Sequence, residues 1–376
     1  MSMRTDWRLL GGSIAVVVAL VGCASGSVAP SPAALPAVSA GPVFGLAWQV
    51  QLGEAQTNSA LSAGAGGLMV SNTAGVLHAL DPQTGQLKWQ VQTGVLSTSA
   101  GSDGTYTAVV SQNNELMGVV DGQVKWRQRL PARTLATPLV AGKRVFVFSA
   151  DRSVSAFDAA NGAPLWEAAY RGKDALVPLQ PGVLMAVGNV LLAGPAGKWW
   201  AINPDTGATL WQLSLAVPRG VNEVERLVDL IAPVSRHDTQ VCARAMQAVV
   251  GCTDVSSRRV LWTKPSIGYS GVSGDAQTLY GADERGQVLA WAKSDGKELW
   301  RYEGLLYRRL GAPVRWGAWV MVPDDQGHVY VLDAQSGAYR QRLSTDGSAL
   351  QGAPLLIQNT FVVQTRKGQI FAWRAQ

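Results

Sequence analysis

The chain has 376 residues, with 32 Lys and Arg against 26 Asp and Glu for a formal charge of +6, and only three His. Such a length ordinarily suggests roughly two or three domains. The basic residues are scattered rather than gathered into a stripe, which argues against a nucleic-acid surface. His78, His237 and His328 share no ligand spacing, which argues against zinc.

Arg4 and Arg8 precede an apolar run from Ile14 to Val21 that is too short to span a bilayer comfortably. A charged start, a short apolar core and small residues at its end describe a secretory signal. The ending Leu20-Val21-Gly22-Cys23 resembles a bacterial lipobox, in which the Cys is acylated and becomes the first mature residue. An ordinary signal with an incidental Cys is the rival reading. Ala24 stands where Asp would favour inner-membrane retention, so the resemblance implies the outer membrane. Residues 1–22 are thus expected to be a signal peptide. Residues 23–43, small and Pro-rich, read as a lipidated flexible tether.

From Trp48 onward one phrase returns about every forty residues: an acid or Asn, then Gly, then Trp. It stands at Asp81, Gly85 and Trp89; at Asp121, Gly122 and Trp126; at Asp158, Gly162 and Trp166; and at Asn203, Gly207 and Trp211. It recurs at Asp295, Gly296 and Trp300, and without its Trp at Asp333, Gly337 and Gln341. Within one unit, Val145–Phe148 and Val154–Phe157 read as short strands joined by a tight turn; residues 158–162 form a second turn, and Leu165-Trp166 starts an outer strand. Each unit is therefore a four-stranded antiparallel sheet, and the chain an all-β, eight-bladed propeller over residues 44–376. The last segment, Ala353 to Trp373, supplies inner strands but no closing Trp, while Trp48 is a closing Trp without inner strands. Joining them in a shared eighth blade would close the ring and remove free sheet edges.

Cys242 and Cys252 flank a hairpin of the fifth blade. A disulfide is expected in an oxidising periplasm, with two buried thiols as the rival. Asp324-Asp325 is the best acidic pair for a cation, yet a solvated turn explains it better. Gly64-Ala65-Gly66-Gly67 lacks the Lys and Ser or Thr of a phosphate loop. No catalytic, cofactor or metal site emerges.

The connectors between blades run about 9 to 13 residues, except for roughly 17 after Trp166 and 22 after Trp211. Being consecutive, these two should lie side by side, and repeat insertions collect on binding faces. The first holds Tyr170 and Arg171. The second holds Arg226, Leu227, Asp229 and Leu230, with Val221, Val224, Leu227 or Val228, and Ile231 at helical spacing. Arg among aromatic and aliphatic neighbours is the composition of a protein-binding hot spot; a solvated loop is the alternative.

Two family resemblances follow from these motifs. The Asp81-to-Trp89 phrase looks like the tryptophan-docking motif of pyrroloquinoline-quinone dehydrogenases, which are also eight-bladed. Their adjacent disulfide-bonded cysteines have no counterpart here, so the likeness implies fold and not catalysis. The lipobox, the propeller and the Arg226-Leu227-Val228-Asp229 phrase together resemble the BamB family, the lipoprotein B subunits of the outer-membrane β-barrel assembly machinery. That resemblance implies a non-enzymatic scaffold without cofactors on the periplasmic face of a Gram-negative outer membrane. It would bind the periplasmic repeats of the central barrel subunit, and it could also present nascent outer-membrane proteins. Arg171 and Asp229 correspond to family contact positions. Ala168 and Tyr170 stand where the family has aliphatic contacts, and Ile231 replaces a second acid. A quinone-dependent dehydrogenase or degenerate cofactor binder is the competing class.

Overall fold

A computed structural model describes residues 30–34, 37, 43–55, 61–64, 66–134, 136–170, 182–217 and 228–376. The unit from Pro32 to Gln376 contains eight four-stranded antiparallel sheets among its described residues. Seven are built from consecutive strands, as in blade 3: Leu139–Ala141, Arg144–Phe148, Ser153–Asp158 and Pro164–Ala169. In the same order, blades 1 and 2 occupy residues 62–92 and 101–129, and blades 4 to 7 occupy 184–214, 230–265, 272–302 and 314–344. Among the described residues no helix is long and apolar enough to cross a membrane.

Burial explains the strand compositions. Second and third strands are covered on both faces by neighbouring blades, so they read as apolar runs: Gly67–Ser71 is buried at every position. Fourth strands are outermost and alternate, as in Leu87–Gln92, where only every second residue is covered. The core lies between blades. Val145, Val147 and Phe157 of blade 3 pack on Ala108, Val110 and Trp126 of blade 2.

The eighth blade is shared between the chain ends. Phe44–Gln51 pairs antiparallel with Gln369–Ala375, and Trp48 lies opposite Ala372. The indole of Trp48 is half-buried. It reaches blade 1, donating from Nε1 to the Pro82 carbonyl at 3.2 Å.

The repeated Gly and Trp belong to different blades. A Cβ on Gly162 would lie 2.4 Å from the Trp126 ring, and one on Gly207 2.6 Å from Trp166. Both glycines sit at φ +73°, so each turn is shaped to seat the indole of the preceding blade. Trp126, Trp166, Trp262 and Trp300 each donate to a carbonyl of the next blade's turn. Blade 5 departs from the phrase: Arg258 takes the Gly position at φ +57°. Cys242 and Cys252 face each other across its second and third strands and are joined by a disulfide.

Candidate functional site: the connector face

The antiparallel order of each sheet puts the ends of fourth strands and the starts of first strands on one side of the propeller, together with the turns between second and third strands. The other side carries the remaining turns. On the connector side the links run against those second-to-third turns, with bridges from Leu96 to Ser111, Thr134 to Ser149 and Leu310 to Asp324. The longest links are residues 170–183 and 215–229, between blades 3 and 4 and between blades 4 and 5. Their ends are adjacent, since Gly182 bridges Ile231 and Leu230 donates its N–H to Gly194 O at 2.9 Å.

Arg171, Arg226, Leu227, Val221 and Val224 lie outside the described residues, as does Cys23. The other three candidates are interior. Tyr170 is 9 % exposed; its ring stands edge-on to Trp200 at 5.5 Å, and its N–H donates to Arg152 O at 3.1 Å. Leu230 is fully buried and begins the first strand of blade 5, packed so closely on Gly194 that a Cβ there would come within 2.7 Å.

Asp229 is 6 % exposed. Its carboxylate accepts the Ala196 N–H inside the Pro195–Gly197 turn and stands 3.8 Å from the Arg152 guanidinium. Its own carbonyl accepts the Met246 N–H at 3.0 Å. Asp229 therefore ties together blade 3 (Arg152), blade 4 (Ala196) and blade 5 (Met246). Internal donors thus keep this carboxylate buried beside its apolar neighbours. Ile231 lies in the strand Leu230–His237, so the helical spacing ending there does not describe its structure.

Sequence reasoning passed over Arg152, at φ +63° in a turn of blade 3, and Ala196, at φ +50°. The cluster Gly194-Pro195-Ala196-Gly197 was the available signal, since such residues concentrate where the backbone must turn tightly. Among the described residues, the connector face exposes apolar side chains on three successive links: Val217 (67 %), Ile267 and Tyr269 (45 and 49 %) and Tyr307 (49 %).

Two further buried groups brace this side. Arg244, fully buried, donates to Ser266 O, Ser266 Oγ and Ala282 O, and burial pushes its pKa down to about 10. Asp324, expected in a solvated turn, is instead buried. It accepts the Gln326 and His328 N–H groups and the Tyr330 hydroxyl, with Arg308 3.6 Å away. Among the described residues no group of three His, Cys, Asp or Glu is placed to hold a metal.

The fold and the indole-seating turns define an eight-bladed, tryptophan-docked propeller, a class that includes redox enzymes as well as scaffolds. The quinohemoprotein alcohol dehydrogenase of Comamonas testosteroni superposes with a TM-score of 0.67 at 13 % identity, over 88 % of this chain and 76 % of that one. The crystal structure of BamB from Moraxella catarrhalis superposes with a TM-score of 0.79 at 22 % identity, covering 88 % of this chain and 100 % of that one. Sequence points to one family. The family model for outer membrane protein assembly factor BamB matches residues 73–302. Assembly factors of that name from Burkholderia pseudomallei (34 % identity, 81 % of each chain) and Bordetella pertussis (33 %, 80 % of this chain and 79 % of the relative) align over most of the ring. The chain belongs to the BamB family.

Proposed function

We propose that this protein is an outer-membrane protein assembly factor: a non-enzymatic scaffold lipoprotein, anchored through acylated Cys23 on the periplasmic face of the outer membrane. It docks on the periplasmic repeats of the central barrel subunit through the connector face around residues 170–183 and 215–229, and it aids insertion of β-barrel proteins. Kinship with named assembly factors over four-fifths of the chain carries this reading. The paired long connectors support the location. Buried braces at Asp229 and Arg152 fix the described end of the second connector against blades 3 and 4, which lowers the ordering cost of binding.

Pull-down of the native complex from detergent-solubilised outer membrane is the test. The barrel subunit should co-purify with the wild type and be lost from Arg171→Ala with Arg226→Ala. Recovery of the chain without any assembly subunit would overturn the reading. The fold shared with the quinohemoprotein enzyme makes one control necessary: adding pyrroloquinoline quinone and Ca2+ should produce no cofactor absorbance.

A further inference from the structure

Ahead of the propeller, the described residue Ala33 is held by the link between blades 6 and 7. Ala33 donates its N–H to Leu306 O at 2.9 Å and accepts from Arg308 Nη2 at 2.8 Å, so both halves of its backbone are paired. The receiving site is buried and internally bonded. Arg308 is 7 % exposed, its Nη1 donates to Gln326 Oε1 at 2.8 Å, and Asp324 lies behind it, itself bonded by the Tyr330 hydroxyl. Between the two contacts Tyr307 adopts φ +62°, and its N–H is tied to Arg285 O at 2.7 Å. A non-glycine residue held in that region is the kind of strain that persists where a site requires it.

The position of this site matters more than its strength. Residues 303–313 link blade 6 to blade 7, so the contact is on the connector face. Phe44 begins the fourth strand of blade 8 beside Ala375, which places it on the opposite face. A strap released from Ala33 would leave the propeller from the opposite face, with twenty residues (24–43) before Cys23, a reach of roughly 65 Å. Held at Ala33, it leaves from the connector face with nine residues (24–32), a reach of roughly 30 Å.

We propose that Arg308 and the Leu306 carbonyl are a clamp that selects which face of the propeller addresses the lipid surface, turning the connector face toward the membrane. This rests on acylation of Cys23, and the two ideas are tested separately. Amide exchange of the strap peptide around Ala33 in the purified protein reads the clamp without a membrane. Exchange should be at least about tenfold slower than for a free peptide and should rise to the free rate in Arg308→Ala; exchange at the free rate in the wild type would overturn the clamp. Because Arg308→Ala leaves Asp324 without its cation, Ala33→Pro serves as a second variant, removing a donor and leaving the propeller untouched.

Orientation is read on phosphatidylethanolamine–phosphatidylglycerol vesicles carrying a headgroup acceptor dye. Donor dyes are placed on blade 6 at Glu284→Cys, on the connector face, or at Lys297→Cys, on the other. Transfer should be stronger from position 284, and the preference should vanish in Ala33→Pro. Equal transfer from the two positions, or a preference unchanged in Ala33→Pro, overturns the proposal. Wild-type protein that fails to bind vesicles and lacks acyl chains by mass would refute the lipoprotein reading and the membrane half of this one, leaving exchange to decide the clamp.

Discussion

The side-chain amide of Gln341 grips the backbone of Phe44 from both sides. Its Oε1 accepts the Phe44 N–H at 3.0 Å and the Val43 N–H at 2.8 Å, while its Nε2 donates to Phe44 O at 2.9 Å. This explains why the tryptophan phrase lapses at that position. An indole is seated by the turn between third and fourth strands of the next blade, and blade 8 has no such turn, because those two strands come from opposite ends of the chain. A carboxamide, with one donor and one acceptor, pairs with the strand start that stands there instead.

Gln341→Glu keeps the shape and the acceptor but loses the donor, placing a charge against Phe44 O. Leaving a buried carbonyl unpaired costs about 1–3 kcal/mol. Urea unfolding should show a loss in that range, and Gln341→Leu a comparable one. Wild-type stability in both variants would mean that the strand pairing from Phe44 to Gln51 suffices for closure.

The indole seats give a prediction with opposite signs at equivalent sites. Gly162→Ala forces a side chain into φ +73° against Trp126, and should destabilise by about 1–3 kcal/mol from strain and displacement of the ring. Arg258→Gly, at φ +57° in blade 5, relieves the penalty for a left-handed non-glycine residue, about 1 kcal/mol. The gain is partly offset by the added backbone freedom of glycine when unfolded. Thermal melts should move down for the first and not down for the second.

Cys242 and Cys252 enclose a short loop, with a sequence separation of 10. Chain entropy then puts the bridge at about 2–3 kcal/mol at most. Non-reducing peptide maps of exported protein should join the two cysteines in one fragment, and Cys242→Ser with Cys252→Ser should lower the melting temperature while leaving the fold. Alkylation of both thiols without reduction would remove the bridge from the account.

Much of this architecture is legible in the sequence because it repeats. A Trp four residues after a Gly marks a physical seat, and the two halves of blade 8 were visible as complementary remnants. Blade 5 is harder to read, since Arg258 occupies a glycine's place and only the backbone shows the equivalence. The burial of Asp229 at a connector end is hidden for a different reason. Asp229 looks like an exposed acid beside apolar neighbours, and its partners, Arg152 and Ala196, belong to other blades, a pairing that no local pattern encodes. Asp324 is the same case, its cation coming from a connector and its hydroxyl partner from the following strand.

Titration should expose the turn carboxylates and the covered imidazoles. The Ser256 hydroxyl and the Ser257 N–H hold Asp254 well below the usual carboxylate range. Asp346 and Asp333 are also lowered, their burial outweighed by turn hydrogen bonds. Burial lowers His78 and His328. Every one of these folded-state pKa values is depressed, so each group contributes stability above its unfolded pKa and loses it as pH falls through the folded one. Melting temperature should stay flat from about pH 8 to 7, begin to fall below about 6.5 as unfolded histidines take up protons, and fall more steeply below about 4. A maximum near pH 5 would contradict the depressed histidines.

The final prediction separates docking from bracing on the connector face. Asp229→Ala removes the acceptor of Ala196 and the carboxylate facing Arg152, and breaking one side of such a buried pair costs about 3–5 kcal/mol. Its melting temperature should drop, and any loss of partner binding would follow from displaced connectors. Asp229→Asn keeps an acceptor for Ala196 and should recover part of the stability. Arg171→Ala, if Arg171 contacts the partner, should leave melting unchanged and weaken co-purification of the barrel subunit by about 2–5 kcal/mol of binding, the range for a charge desolvated in an interface. Arg301→Ala, in an outer strand where the guanidinium pairs with Glu298 at 2.7 Å, and Lys264→Ala are controls expected to be nearly silent in binding. Should Asp229→Ala melt like the wild type yet lose the partner, the carboxylate would be a direct contact after all. If instead Arg171→Ala bound as well as the two controls, docking would have to run through the exposed Val217, Ile267, Tyr269 and Tyr307.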